Sequence, residues 1–275
     1  MSGSERLDWV KIGVIGVMCM AQTFPYYLVN STVPTLFRAE GLELTDFWAF
    51  SILTIPAWAK FLWAPYVDRI GSDRFGRRLS WILPSASLVA VLYVAMALIA
   101  PSMETLFAIV ALFALITIFF STYEIAADAY VVENLRDDEK GSGSGAVWFG
   151  KEVGQIMGLA GLLFVADVYG WRAAFLSAAG LFAVLNLIAL SRKEQPVRPR
   201  QTDHRATVWG YVKQRVNRRI LLLTFAFSFA VQIPSAIIGP FLSSKGLTLS
   251  EVGATIGIAA SLGAEIGRAS CRERV

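Results

Sequence analysis

The sequence predicts an all-α protein that crosses a membrane many times. Apolar residues make up 55% of the chain and charged ones 17%, where soluble domains carry about a quarter charged. The charges are bunched into short intervals. The apolar runs between them are close to the roughly twenty residues that a helix needs to cross about 30 Å of hydrocarbon. The intervals also alternate in sign. Seventeen lysines and arginines fall within 1–11, 67–80, 131–145 and 191–219, against three (Arg38, Arg172, Lys245) in the intervening connections. Positive connections stay in the cytoplasm. The N-terminus and the 191–219 connection are therefore expected on the cytoplasmic side of the inner membrane, in a multi-pass protein.

Spans are predicted at about 9–37, 46–67, 80–100, 105–130, 145–167, 172–191 and 219–242, with an eighth beginning near 249. The first is long, and Pro25 is expected to bend it. No cleavable leader is evident, because residues 1–11 are polar and the run after Lys11 lacks a small-residue cleavage site. The net charge of +4 is explained by orientation and needs no nucleic-acid partner. Cys19 and Cys271 give no disulfide framework or metal site. The single histidine, His204, lies in a basic loop, which leaves zinc or triad chemistry without ligands. No enzyme activity and no cofactor are expected. The segment Trp209–Arg219 has the composition of a short helix lying on the membrane surface.

Residues 22–46 (QTFPYYLVNSTVPTLFRAEGLELTD) and 232–251 (QIPSAIIGPFLSSKGLTLSE) share Gln, two prolines and Gly-Leu-x-Leu followed by a hydroxyl and an acid. Gly41 and Gly246 anchor a shift of 205 residues. In each copy the glycine should end a helix, and Thr45 or Ser250 should cap the next. Both copies follow a cytoplasmic segment, so the repeat is parallel, as in transporters built from two six-helix halves. The expected organisation is a six-helix half at 1–191, a basic cytoplasmic linker at 192–218 and the first helices of a second half at 219–264. The end of the chain, EIGRASCRERV, breaks the spanning pattern. Its Ile266–Val275 matches the translation of a common sequencing adapter, so 265–275 is expected to be non-native and the second half incomplete.

Ionisable groups inside the spans are informative because each costs about 2.5–3.5 kcal/mol at mid-bilayer. They must pair, face water or snorkel. Lys60 lies eight residues before Asp68, about 12 Å along a helix. It either snorkels to the cytoplasmic surface or lines a cavity, where it meets an anionic solute or a buried acid. Glu124 and Asp128 are one turn apart. Two acids so placed in low dielectric cannot both stay charged cheaply, which suits a proton carrier; the alternative is an interfacial pair. Lys151 and Glu152 point about 100° apart and need different partners. Gly150, Gly154 and Gly158 form a small stripe for close helix packing. Asp68, Arg69, Arg74, Arg77 and Arg78 cluster between the second and third spans. Inside-positive anchoring explains the arginines but leaves Asp68 unexplained; a gate that holds two helices together accounts for both.

VDRIGSDRFGRR resembles the loop pattern between helices two and three of the major facilitator superfamily, with extra residues from Gly71 to Arg74 and with Ala64 where the general pattern has glycine. KFLWAPYVDR, AQTFPYY and YEIAADAYVVENL are similar to the AmpG-like branch, the peptide–acetyl-CoA–drug transporters. The resemblance covers residues 12–264. It implies the major facilitator fold and a monomeric permease that imports a small solute by alternating access, often driven by a proton gradient. Muropeptides are the favoured cargo, with a siderophore or another peptide-like solute as the alternative; a non-transporting receptor or scaffold is a further reading. The 145–167 span lacks the Gly-Pro signature of antiporters, which speaks against drug efflux. On this reading Gln22, Tyr26, Asn30, Lys60, Trp63, Lys151 and Gln155 contact solute. Glu124, Asp128 and Glu152 carry the proton, and the Asp68–arginine cluster gates the cytoplasmic side.

Overall fold

The computed structural model describes residues 7–39, 55–72, 76–99, 102, 104–189 and 213–259. The first copy of the repeat from Gly41 to Asp46, Arg74, His204, Cys271 and the tail 265–275 lie outside them, and so does most of the 192–218 linker. The described elements are helices: α1 (Trp9–Tyr27), α2 (Val33–Ala39), α3 (Ile55–Ala59), α4 (Ala64–Arg69), α5 (Leu79–Leu98), α6 (Leu106–Asn134), α7 (Lys140–Ile156), α8 (Leu162–Ala189), α9 (Arg215–Ser244) and α10 (Leu249–Gly253). Four continuous stretches, Trp9–Arg38, Leu79–Leu98, Leu106–Asn134 and Lys140–Ala189, are long and apolar enough to cross a membrane. Many large side chains on them face outward, among them Val91, Leu98, Phe107 and Leu187.

The long first span starts where Asp8 caps it, its carboxylate accepting from the Lys11 backbone N–H at 3.0 Å. Helical backbone continues through Pro25. A wider π stretch follows over Leu28–Thr32, after which α2 resumes. The second span differs from the expected single helix. Its described part is α3, a tight 3₁₀ turn over Lys60–Leu62, then α4. Pro65, at the second position of α4, has no N–H to offer the preceding turn, so the break falls beside Lys60.

The fifth span starts at Lys140, earlier than the expected 145. Gly-Ser-Gly-Ser-Gly reads as a loop by propensity, but a tertiary contact fixes it as helix: a Cβ on Gly143 would stand 2.5 Å from the Leu135 side chain. After α7 comes a second π stretch, Met157–Gly161, and then α8. Within α8, Gly170 at φ 79° breaks the helix between the fifth and sixth spans, within the expected 167–172 connection. There the Trp171 indole donates to the Met96 carbonyl at 2.9 Å and so closes the end of α5.

The aromatic core lies between α5, α6 and α8, where Tyr93, Phe113, Tyr123, Phe175 and Phe182 meet at ring separations of 5.8–6.4 Å. The partner of α1 is α7, through the glycine stripe. A Cβ on Gly154 would stand 2.6 Å from the Met20 carbonyl oxygen, and one on Gly158 2.5 Å from that of Phe24; Gly150 lies against the Gly16 carbonyl in the same way. The stripe is thus a backbone-to-backbone seam, as its spacing predicts.

In the second copy of the repeat, Gly246 takes φ 90° and ends α9, as expected. The cap of α10 is a correction. It is Thr248, not Ser250: the Thr248 hydroxyl accepts from the Glu251 N–H at 3.3 Å, and Glu251 reaches back to the Thr248 N–H at 2.8 Å. A Thr-x-x-Glu box satisfies two open donors, which a cap two residues later would leave unmet.

Candidate solute cavity and charged gate

A cavity of about 220 Å³ opens between α1, α6 and α7. From α1 come Gln22, Thr23, Tyr26 and Tyr27. From α6 comes Glu124. The α7 wall is Trp148, Lys151, Glu152 and Gln155. These four occupy positions i, i+3, i+4 and i+7, one face of a helix. The glycine stripe occupies the adjoining face, so the seam with α1 fixes which side chains meet the cavity.

Lys60 reaches from the broken second span to Glu124, Nζ to Oε2 at 2.6 Å, with both side chains a quarter to a third exposed. Of the two sequence readings of Lys60, the structure shows the one in which it meets an acid. Asp128 has a different partner: the Gln22 amide donates to its Oδ1 at 2.7 Å. The two acids, one turn apart, thus have different partners. Lys151 makes no ion pair among the described residues, and its ammonium lies 6.0 Å from the centre of the Trp148 ring.

Two expected solute contacts are engaged elsewhere. The Asn30 amide donates to the Tyr26 carbonyl in its own helix at 2.9 Å. The Trp63 indole donates to the Thr122 hydroxyl at 3.1 Å, which ties the second span to α6. Of the residues singled out in the sequence, Gln22, Tyr26, Lys151, Gln155, Glu124 and Glu152 line the cavity.

At the basic end, Arg78 is 5% exposed and holds two acids. It meets Asp68 at 2.7 Å and clasps Glu133 through two nitrogens at 2.6 and 3.1 Å. Arg77 also reaches Glu133, at 2.7 Å. The cluster thus joins α4, the start of α5 and the end of α6. Arg69 is exposed. Glu133 was not singled out in the sequence, although it lies within YEIAADAYVVENL. The signal that points to it is charge balance, since several arginines beside one aspartate call for a second acid. Gly76, at φ 96°, makes the tight return that brings Arg77 and Arg78 back to α4.

A second cluster was also missed. The Lys11 ammonium pairs with Glu139, whose side chain is fully buried. Glu139 Oε2 accepts from the Arg136 backbone N–H at 3.1 Å as well. Burial alone would raise the Glu139 carboxyl, but Lys11 and that N–H hold it below the usual carboxylate range. Its stabilisation is therefore complete above the ordinary value of about 4.3 and is lost as pH falls through the lower value of the folded chain. Glu139→Gln is expected to lower thermal stability in detergent at pH 7, by stranding a buried ammonium, and to flatten the acid limb. Pairing it with Lys11→Met should recover most of the loss. Equal stabilities of the single and double variants at pH 7 would refute the pair.

The Major Facilitator Superfamily model matches residues 15–268. The chain belongs to the major facilitator superfamily. Among curated relatives, a Rickettsia conorii protein carrying the transporter name AmpG 4 is 24% identical over 88% of this chain and 61% of its own length. An uncharacterized Haemophilus influenzae protein is 27% identical over 83% of this chain and 56% of its own. The anhydromuropeptide permease of Escherichia coli K12 is 26% identical over 62% of this chain and 35% of its own. The chain thus spans about three fifths of the length of the first of these relatives. The AmpG-like character read from KFLWAPYVDR, AQTFPYY and YEIAADAYVVENL agrees with these names.

Proposed function

We propose that this chain is the N-terminal half, with the start of the second half, of a proton-coupled importer. It would take an anhydromuropeptide-type solute across the inner membrane by alternating access, with its N-terminus in the cytoplasm. The observation that carries the proposal is the Lys60–Glu124 pair. It spans two different transmembrane segments at the edge of a polar cavity, and Glu124 itself faces that cavity. A proton on Glu124 cancels the attraction and frees Lys60, so protonation changes how the second span is held against α6. Asp128 and Glu152 supply further carboxylates near the path. Family membership and the permease name among the relatives support the cargo class. The driving force is the proton gradient, with no bound cofactor, and one copy suffices.

The test is uptake into inverted and right-side-out vesicles carrying the full-length gene product. Glu124→Gln should abolish accumulation driven by an imposed pH gradient while sparing exchange of labelled for unlabelled cargo. Unchanged accumulation would refute the coupling role. Competition with a ferric siderophore in place of the muropeptide tests the alternative cargo on the same scaffold.

A further inference from the structure

We propose that Asp128 and Gln22 form a second proton site, in which Gln22 is a positioning residue whose amide holds the carboxyl group in both of its protonation states. The inference deepens the importer reading, on which its role in transport rests, and separates the work of the two acids on α6.

The two ends of the Gln22 amide are unequally matched. Gln22 is 4% exposed and belongs to the cavity wall. Its Nε2 donates to Asp128 Oδ1 at 2.7 Å. Its Oε1, also buried, has no hydrogen-bond partner among the described residues. A buried carbonyl left unmatched is costly and calls for an explanation. The charged carboxylate cannot match it, because a carboxylate only accepts. A protonated carboxyl group can, because it gains one O–H donor. A carboxylic acid and a primary amide meet edge to edge through two parallel hydrogen bonds, and one of the two is already in place. Protonation of Asp128 adds the second, with the O–H on its other oxygen donating to Gln22 Oε1. The proton comes from water, which reaches Asp128 because that residue is exposed, and it returns to water. No bond between heavy atoms changes.

The other charged and titratable groups near Asp128 come from four elements. Glu124 stands one turn earlier on α6, with Lys60 of the second span as its partner. On α1, the Cys19 thiol, one turn before Gln22, is within electrostatic reach of Asp128 and of Lys151 on α7. Asp128 itself makes no ion pair among the described residues, and its partner there is the Gln22 amide. The two acids therefore respond to a proton in opposite ways. At Glu124 a proton cancels an ion pair and loosens the second span. At Asp128 it adds a hydrogen bond and tightens α1 against α6. A Lys60 freed at Glu124 is a nearby cation that favours a charged Asp128, so the two sites resist loading together.

The test is infrared difference spectroscopy between acid and alkaline buffer on the full-length protein in liposomes, with uptake measured alongside. Wild type should show a carboxylic C=O band that is absent in Asp128→Asn and lies at the low frequency of a doubly hydrogen-bonded acid. Gln22→Met keeps the side-chain length but removes donor and acceptor. It should move the band to higher frequency and require about tenfold more protons to reach half its height, since the unmatched oxygen no longer favours the acid form. Glu124→Gln should keep the band. If the band survives Asp128→Asn, is lost in Glu124→Gln or is unmoved by Gln22→Met, the assignment is overturned. Should Gln22→Met fail to reach the membrane, the wild-type band alone decides, and a frequency typical of an acid without the amide bonds refutes the pair. A wild type that shows the band at the expected frequency, yet moves no cargo under any pH gradient, refutes the importer reading and leaves the proton site standing.

Discussion

Arg78→Ala is expected to abolish transport and to destabilise the folded protein by about 3–5 kcal/mol, the cost of removing one partner from a buried ion pair. Arg78 is 5% exposed, and its guanidinium is the only group that touches both Asp68 and Glu133 among the described residues. Without it, Glu133, whose side chain is 19% exposed, keeps only Arg77 of its two ion-pair partners, and α4 loses its ionic tie to α6. Arg78→Lys should rescue stability only in part, because an ammonium cannot reproduce the two-nitrogen clasp on Glu133. Asp68→Asn should cost less stability, since that carboxylate is 54% exposed, yet should still impair cycling if the contact is a gate. Thermal unfolding in detergent and counterflow in vesicles separate the two effects. Wild-type counterflow in Arg78→Ala would show that the cluster anchors the chain but does not gate it.

Gly154→Leu is the second large effect, and it acts through shape. Its first added carbon would lie 2.6 Å from the Met20 carbonyl oxygen, closer than Cβ atoms come, and 3.0 Å from the Thr23 Cβ. The seam between α1 and α7 must open, which carries the cavity wall away from Gln22 and Tyr26. Membrane-inserted, folded protein should fall to near zero, and Gly154→Ala should show a partial loss. Gly13 is the internal control. It lies in the same helix pair with nothing within 4 Å of an added Cβ, so Gly13→Ala should be tolerated, with a helix-propensity gain of up to about 1 kcal/mol. Equal expression and melting of Gly154→Leu and wild type would refute the seam.

Both predictions begin in features legible in the sequence, and each was completed by the fold. Spans, connection signs and the break near Gly170 follow from composition, because a bilayer accepts only apolar helices of a set length and leaves charges at their ends. The glycine stripe was legible for a related reason: small residues one turn apart let helix backbones approach, and the structure supplies α1 as the partner. Where propensity misled, tertiary contact had decided. Gly141–Gly145 is helical because Leu135 packs onto Gly143. The second span breaks at Lys60, where Pro65 removes a donor.

The amino-acid sequence by itself determined that this protein is a helical membrane chain of the major facilitator type, since hydrophobic length, charge placement and a local loop motif are properties of consecutive residues. Which acid meets which cation was decided only by the tertiary structure. Glu124 and Asp128 stand one turn apart, yet one takes Lys60 and the other Gln22, from partners 64 and 106 residues away. Glu133 and Glu139 became visible as ion-pair partners only once α6 and the turn after it lay beside Arg78 and Lys11. Ion pairs form between side chains within a few ångströms in space, and among the described residues most of them join separate helical segments.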